Sequence, residues 1–145
     1  MDLFNAMNVG ASALNAQRER MNVIASNLAN IHTTRTPEGG PYRKKSVVFE
    51  AGSPESPFER QLNDNLEKHV QGVHVREIAE SGASPQKVFD PSHPDADGEG
   101  YVLMPDINLM SEMVDMISAT RSYEANVTAV NASKNMAAKA LEIGK

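Results

Sequence analysis

The chain has no cysteine and no tryptophan, and aromatic residues make up only 5% of it. Without cysteine there is no disulfide, no thiolate nucleophile and no cysteine-ligated zinc. With so few aromatics, any core is thin and is filled by Ala, Val, Leu and eight Met residues. A basic excess is missing too. The net charge is −5, so no cationic face exists to neutralise nucleic-acid phosphates or to bind an anionic membrane. No stretch reaches the roughly 20 apolar residues of a membrane span. The N-terminal MDLFNAMNVGASALNAQRER has an acid at position 2 and no unbroken apolar run, unlike a cleavable signal peptide. If the protein leaves the cytosol, a route without such a signal is expected.

What is present falls into three zones within a length that suits a single domain. In residues 1–32, Met7, Leu14, Met21 and Leu28 recur every seven positions, with Ile24 and Ile31 three residues beyond two of them. Ala11, Arg18 and Ala25 fill the adjacent i+4 row. This spacing predicts a helix with a coiled-coil-like seam, frayed at its start by Gly10 and weakened by Gln17. Residues 33–106 hold every proline of the chain, which rules out long helices there. Tyr42–Glu50, Val70–Glu80, Gln86–Phe89 and Tyr101–Met104 read as strands, with Gly82–Pro85 as a turn and 51–69 as a polar loop with one helical turn. The chain's acidic excess sits in this zone.

Residues 107–145 carry the strongest pattern. Leu109, Met113, Met116, Thr120, Tyr123, Val127, Val130, Lys134, Ala137 and Leu141 follow an alternating 4–3 spacing, mostly apolar, with no Gly or Pro between 106 and 143. Pro105-Asp106 gives a start signal and Gly144 a stop. A helix of this length is a rod of roughly 50 Å at 1.5 Å per residue, long beside the radius of gyration of about 15 Å for a compact chain of this size. It needs a partner, either the first zone or another subunit. The expected fold is therefore mainly α with a small β insertion. Residues 1–32 and 107–145 pair as a coiled-coil-like, discontinuous helical domain, and 33–106 form the insertion. Asn27, Asn30, Asn126, Asn131 and Asn135 lie in low-charge surroundings rich in alanine and are candidates for setting register across helix contacts. Seams lacking their partners would leave both end zones partly disordered in a dilute monomer, ordering on assembly.

Motifs for chemistry do not hold up. Gly10-Ala11-Ser12-Ala13-Leu14 lacks the last glycine of a nucleophile elbow and lies in a helix. Gly39-Gly40 is not followed by Lys-Ser/Thr, as a phosphate-binding loop requires. His32, His69, His74 and His93 are scattered, with no acid–base constellation. Asp95–Asp106 shadows a calcium-binding EF-hand loop, but Glu99 stands at its fifth position, Asp106 at its twelfth, and the preceding Pro-Ser-His-Pro cannot be an entering helix. A solvated acidic turn fits better. Arg43-Lys44-Lys45 is too short for nucleic acid and suits a solvated strand or an intersubunit salt bridge. No catalytic residue, metal site or cofactor is assigned.

The stretch Met21-Asn22-Val23-Ile24-Ala25-Ser26-Asn27-Leu28-Ala29-Asn30, followed by Thr33-Thr34-Arg35-Thr36 and Gly40-Pro41-Tyr42-Arg43, resembles the N-terminal signature of the flagellar basal-body rod protein family. Asp90-Pro91, Gly100-Tyr101-Val102, Glu112–Met116, Arg121-Ser122-Tyr123-Glu124-Ala125-Asn126 and Leu141–Lys145 are similar to the family's proximal-rod member. The resemblance spans nearly the whole chain, and Asp106 departs from the asparagine expected after that proline. It implies a non-enzymatic structural subunit that leaves the cell through the flagellar export apparatus and assembles in the periplasmic space into the rod carrying torque from motor to hook. Implied partners are further copies, other rod proteins, and the adaptor and MS-ring components at the rod base. The assembly-interface candidates are Met7, Leu14, Met21, Ile24, Ser26, Asn27, Leu28, Asn30, Leu109, Met113, Met116, Tyr123, Glu124, Asn126, Val127, Val130 and Leu141, with Ser26, Asn27 and Asn30 fixing the register of packed helices. Two other readings are a secreted helical adaptor that binds through its C-terminal helix and a small calcium-binding module on Asp95–Asp106.

Overall fold

The computed structural model describes residues 3–52 and 71–143. Helix α1 spans Leu3–Ala29, strands β1 and β2 span Lys45–Ala51 and Val73–Glu80, strands β3 and β4 span Gln86–Phe89 and Tyr101–Met104, and helix α2 spans Leu109–Ile143. The β elements form two separate antiparallel pairs, β1 with β2 and β3 with β4. Two long helices with small hairpins between them match the expected class. The polar loop expected over 51–69, and the start of the expected strand at Val70, lie outside the described residues except for Ala51 and Gly52.

The helices pack against one another in antiparallel sense. Gly10 lies under Val130, the Thr120 hydroxyl meets Met21 Sδ at 3.7 Å, and Asn27 reaches Glu112. Their contact does not follow the most apolar rows. On α1 the buried residues are Ala16, Val23, Ile24 and Asn27, while Met7, Leu14, Met21 and Leu28 are half-buried and Ala11 and Ala25 face solvent. On α2, Met116, Tyr123, Val130 and Ala137 are half-buried as the spacing predicts, but the companion row is Glu112, Ala119, Asn126 and Ser133. That row is one residue away from Met113, Thr120, Val127 and Lys134. The reason is backbone distance. Ala119 is fully buried, and a Cβ built on Gly10 would come within 2.5 Å of Val130 Cγ2. Small residues are required at these points of closest approach, while larger side chains such as Ile24, Met116, Tyr123 and Val130 pack beside them. Gly10, which reads as a point of fraying, sits inside a continuous helix because the contact requires it.

Helix α2 begins two residues later than the Pro105-Asp106 signal suggests. Asn108 is its cap, with Oδ1 accepting from the Ser111 amide at 3.1 Å. Ahead of it, Val102 on β4, Pro105 and Ile107 are buried and anchor the entry to the helix. In the first hairpin a bulge at Val48/Phe49 leaves Arg76 without a direct partner across the pair. The start of β2 is fastened to α1 at Ser12, whose Oγ accepts from the Val73 amide at 3.1 Å. In the second hairpin Phe89 and Tyr101 meet edge to face at 5.3 Å. The acidic loop between β3 and β4 turns its carboxylates onto its own chain. Asp97 Oδ1 accepts from the Glu99 and Tyr101 amides, and Asp95 Oδ2 accepts from the Thr34 hydroxyl at 2.7 Å.

The close helix contact and the acidic loop can each be tested. Alanine at Gly10 gains about 1 kcal/mol of helix propensity but forces β-branched, rotamer-stiff Val130 to move, at about 1–3 kcal/mol. Gly10→Ala should therefore lower the unfolding midpoint, and adding Val130→Ala should recover most of the loss in a double-mutant cycle by circular dichroism. In the acidic loop, the Tyr101 amide, aided by those of Glu99 and Gly100 and by Lys87, holds the Asp97 carboxyl below its ordinary 3.8. The Ser92 hydroxyl and amide do the same for Asp90. Depressed values favour the charged forms when folded, so the contribution is complete above 3.8 and is lost as pH falls through the folded values. The Tyr101 and Glu99 amide resonances should titrate with a midpoint below 3.8, and Asp97→Ala should abolish that titration.

Candidate functional site

The end of α1 is shaped by polar side chains. The Asn30 amide group donates back to the Ser26 carbonyl at 2.9 Å and its Oδ1 accepts from the Thr33 hydroxyl at 3.1 Å. The Ser26 carbonyl also accepts from the Asn30 backbone amide at 3.1 Å, so the last turn is closed by main chain and side chain of the same residue. The chain then reverses through Thr36–Gly40. Gly39 and Gly40 hold φ of +91° and +80°, a left-handed conformation that glycine adopts without a Cβ clash. Tyr42 returns beside the helix end, its amide donating to the Thr33 carbonyl at 3.0 Å.

This reversal sets the start of β1 against Asn27, which is 1% exposed. Asn27 Nδ2 donates to the Lys45 carbonyl at 2.8 Å and to Glu112 Oε2 at 3.0 Å. Its Oδ1 accepts from the Lys45 amide at 2.9 Å and from the Tyr42 hydroxyl at 3.1 Å. Both donors and both acceptor positions of the amide are thus used. Toward Lys45 the side chain behaves like a neighbouring strand, pairing with both backbone groups of one residue. Toward Glu112 it crosses to α2. One side chain joins the first helix, the first strand and the last helix.

Glu112 is equally buried, at 1% exposure. The Lys44 ammonium lies 2.7 Å from its Oε1 as an ion pair, while Lys44 itself keeps partial access to water. Glu112 is also the acid in the first turn of α2, where the positive end of the helix dipole favours a carboxylate. Ser26 Oγ closes the cluster on the Tyr42 hydroxyl at 3.2 Å. Sequence reading singles out Ser26, Asn27 and Asn30 but not Tyr42, Lys44 or Glu112 as their partners. The available signal for Glu112 is an acid in the opening turn of a long helix. Lys44 and Lys45 are engaged within the chain, Lys45 with Glu80 at 3.7 Å.

The remaining interface candidates divide by location. Met7, Leu14, Met21, Leu28, Met116, Tyr123, Asn126, Val127 and Val130 are half-buried and Ile24 is buried. Leu109, Met113, Glu124 and Leu141 are exposed. With Met110, Val114 and Ile117, also exposed, Met113 forms an i, i+3, i+4, i+7 set. This apolar stripe lies on the side of α2 turned away from α1. Among the described residues no helix is long and apolar enough to cross a membrane.

Residues 7–35 match the sequence model of a family described as flagella basal body rod protein. Residues 99–143 match that described as flagellar basal body rod FlgEFG protein C-terminal. The chain is 49% identical over 152 residues to the flagellar basal-body rod protein FlgC of Bacillus subtilis, with 100% of each chain covered. It is 47% identical over 153 residues to FlgC of Borreliella burgdorferi, covering 99% of this chain and 98% of that one. Against FlgC of Escherichia coli O157:H7 it is 42% identical over 145 residues, with 100% of both covered.

The burial asymmetry in the cluster predicts unequal costs. Lys44→Met leaves a buried carboxylate without its cation and should cost about 3 kcal/mol. Glu112→Gln keeps the Asn27 bond and lets Lys44 swing into water, so it should cost about 1 kcal/mol. Asn27→Leu orphans the Lys45 amide and carbonyl and should exceed both. Urea unfolding of the three variants measures the order.

Proposed function

The chain belongs to the family of flagellar basal-body rod proteins, and from that premise we propose how it works as a structural subunit of the proximal rod in the flagellar basal body. It is not an enzyme; its chemistry is assembly with other basal-body components. In this reading residues 1–32 and 107–145 act as one discontinuous, coiled-coil-like helical domain whose outer faces meet neighbouring subunits, and 33–106 act as an insertion carried by that domain. The Asn27–Lys45–Glu112 cluster makes domain and insertion turn together, so that torque passes through the subunit without slippage. Export without a cleavable signal peptide, assembly in the periplasmic space, and contacts with further copies, other rod proteins and the adaptor and MS-ring components at the rod base belong to the same proposal.

The observation that carries it is the apolar stripe Met110, Met113, Val114 and Ile117. Val114 is 63% exposed and Met110 69% exposed, although few apolar side chains among the described residues are buried. A monomer gains nothing from this placement, whereas a polymer buries it against the next subunit. With so little buried by the chain alone, the helices draw further stability from assembly.

Val114→Glu and Ile117→Glu change exposed positions, so helix content and unfolding midpoint should stay within about 0.5 kcal/mol of the parent. In a deletion strain complemented with either variant, swimming should fall at least tenfold, with basal bodies stalled before a complete rod in electron micrographs. Normal rods and normal swimming from both variants would remove this face of α2 as an assembly surface.

A further inference from the structure

On the opposite side of α2 from the apolar stripe there is an open groove of about 350 Å³ between α1, β1 and α2. Its lining is mixed: Val23 and Ile24 on the helix, both buried, and Val47 and Phe49 on the strand supply the apolar part, and Ser46 and the Lys44–Glu112 ion pair supply the polar part. Arg20 and Asp115 stand at its rim and pair at 3.3 Å. The intrachain fold leaves this groove open: Val47 and Phe49 are only half-buried, and the bulge at Val48/Phe49 bends the strand locally there.

Resting on the reading of α2 as an assembly face, we propose that the Met110–Ile117 stripe of one subunit docks into the Val23/Ile24/Val47/Phe49 groove of a second copy of this chain. Three observations select that occupant. The stripe carries no charge at 110, 113, 114 or 117, so it meets Val47 and Phe49 without bringing an ion that would compete for the groove's Lys44–Glu112 pair. Its two methionines are unbranched and adapt to an irregular hollow. Arg121 lies one turn beyond Ile117 on the same face, is exposed, and has no acidic partner among the described residues. It is placed to share the neighbour's rim carboxylate, Asp115. Stripe and groove lie on different sides of the helical layer, so joining them is a heterologous contact. Such a contact repeats from copy to copy along an open array, whereas stripe against stripe would close a dimer.

The cysteine-free sequence makes the test direct. Val47→Cys and Ile117→Cys are introduced singly and together, basal bodies are isolated from complemented cells, oxidised, and resolved without reductant. The double variant should give a ladder of dimers and higher species, and each single variant should remain monomeric. Dimers from Ile117→Cys alone would overturn the pairing in favour of stripe against stripe. A double variant that swims and builds rods yet does not cross-link would overturn it as well, while leaving α2 as an assembly face. If the first pair does not assemble, Phe49→Cys with Val114→Cys takes its place, with the same ladder expected and the same outcomes against it. Loss of the wider reading shows separately, as normal rods from the Val114→Glu and Ile117→Glu variants.

Discussion

The structure depends on one amide. Asn27 lies where α1, β1 and α2 converge, and its hydrogen-bonding positions are filled by Tyr42, Lys45 and Glu112. An amide in that place must be fully satisfied or it becomes a liability, since an unpaired buried polar group costs about 1–3 kcal/mol. Satisfying it fixes the path of everything around it. Asn30 and Thr33 end the helix, Gly39-Gly40 turn the chain, and Tyr42 and Lys45 arrive at set distances. Glu112, placed by the Asn108 cap, completes the bridge from the far end of the sequence. Shifting any one element by a residue breaks several bonds together.

Apolar surface is divided in a way that matches this arrangement. Between α1 and α2 the close approach at Gly10 and Ala119 leaves room for little more than small side chains. The methionines, valine and isoleucine of the α2 stripe fall on the opposite side of the helix from the contact row Glu112, Met116, Ala119 and Tyr123. The chain keeps its directional, polar contacts within the Asn27 cluster and leaves a non-directional, apolar stripe exposed on α2.

How far the sequence led depends on the range of the interaction. Both helices were legible from Met7–Leu28 and from the long run after Pro105, because period is a local property. Four strands were legible from β-branched clusters between turn residues. Which strands paired was not written locally, nor was the division into two separate hairpins. Of the row the α2 spacing picks out, Met116, Tyr123 and Val130 are half-buried and Leu109 is exposed. The more buried companion row lies one residue from the spaced one, in which Val127 alone of Met113, Thr120, Val127 and Lys134 is half-buried. Counting apolar side chains selects Met113, whereas the close backbone selects Glu112 and Ala119. The polar signature was visible as an anomaly in its helix. Its partners Lys45 and Glu112 lie 18 and 85 residues away, and no local rule names them. The family resemblance supplied the function where residue physics alone supplied an assembly logic.

A hydrophobic joint at position 27 would hold helix and strand together at a lower desolvation cost, so the polar one requires a reason. Apolar contacts tolerate sliding, because a methyl group fits nearly as well a fraction of a turn away. Hydrogen bonds of defined length and direction do not tolerate it, and a buried polar residue is the best-attested way to fix register at some cost in stability. In the proposed reading, where the terminal helices form the rod and carry torque, the dangerous motion is slip between those helices and the insertion. Asn27 stands at the root of β1, and Glu112 stands in the first turn of α2. Torsion between helices and insertion therefore loads bonds that have a single geometry. In the same proposed reading the apolar stripe meets a different demand: every subunit enters an identical site during growth, and adaptable side chains such as Met110 and Met113 suit that task. Rigid polar geometry within the subunit and adaptable apolar surface between subunits are thus complementary answers to the same mechanical requirement.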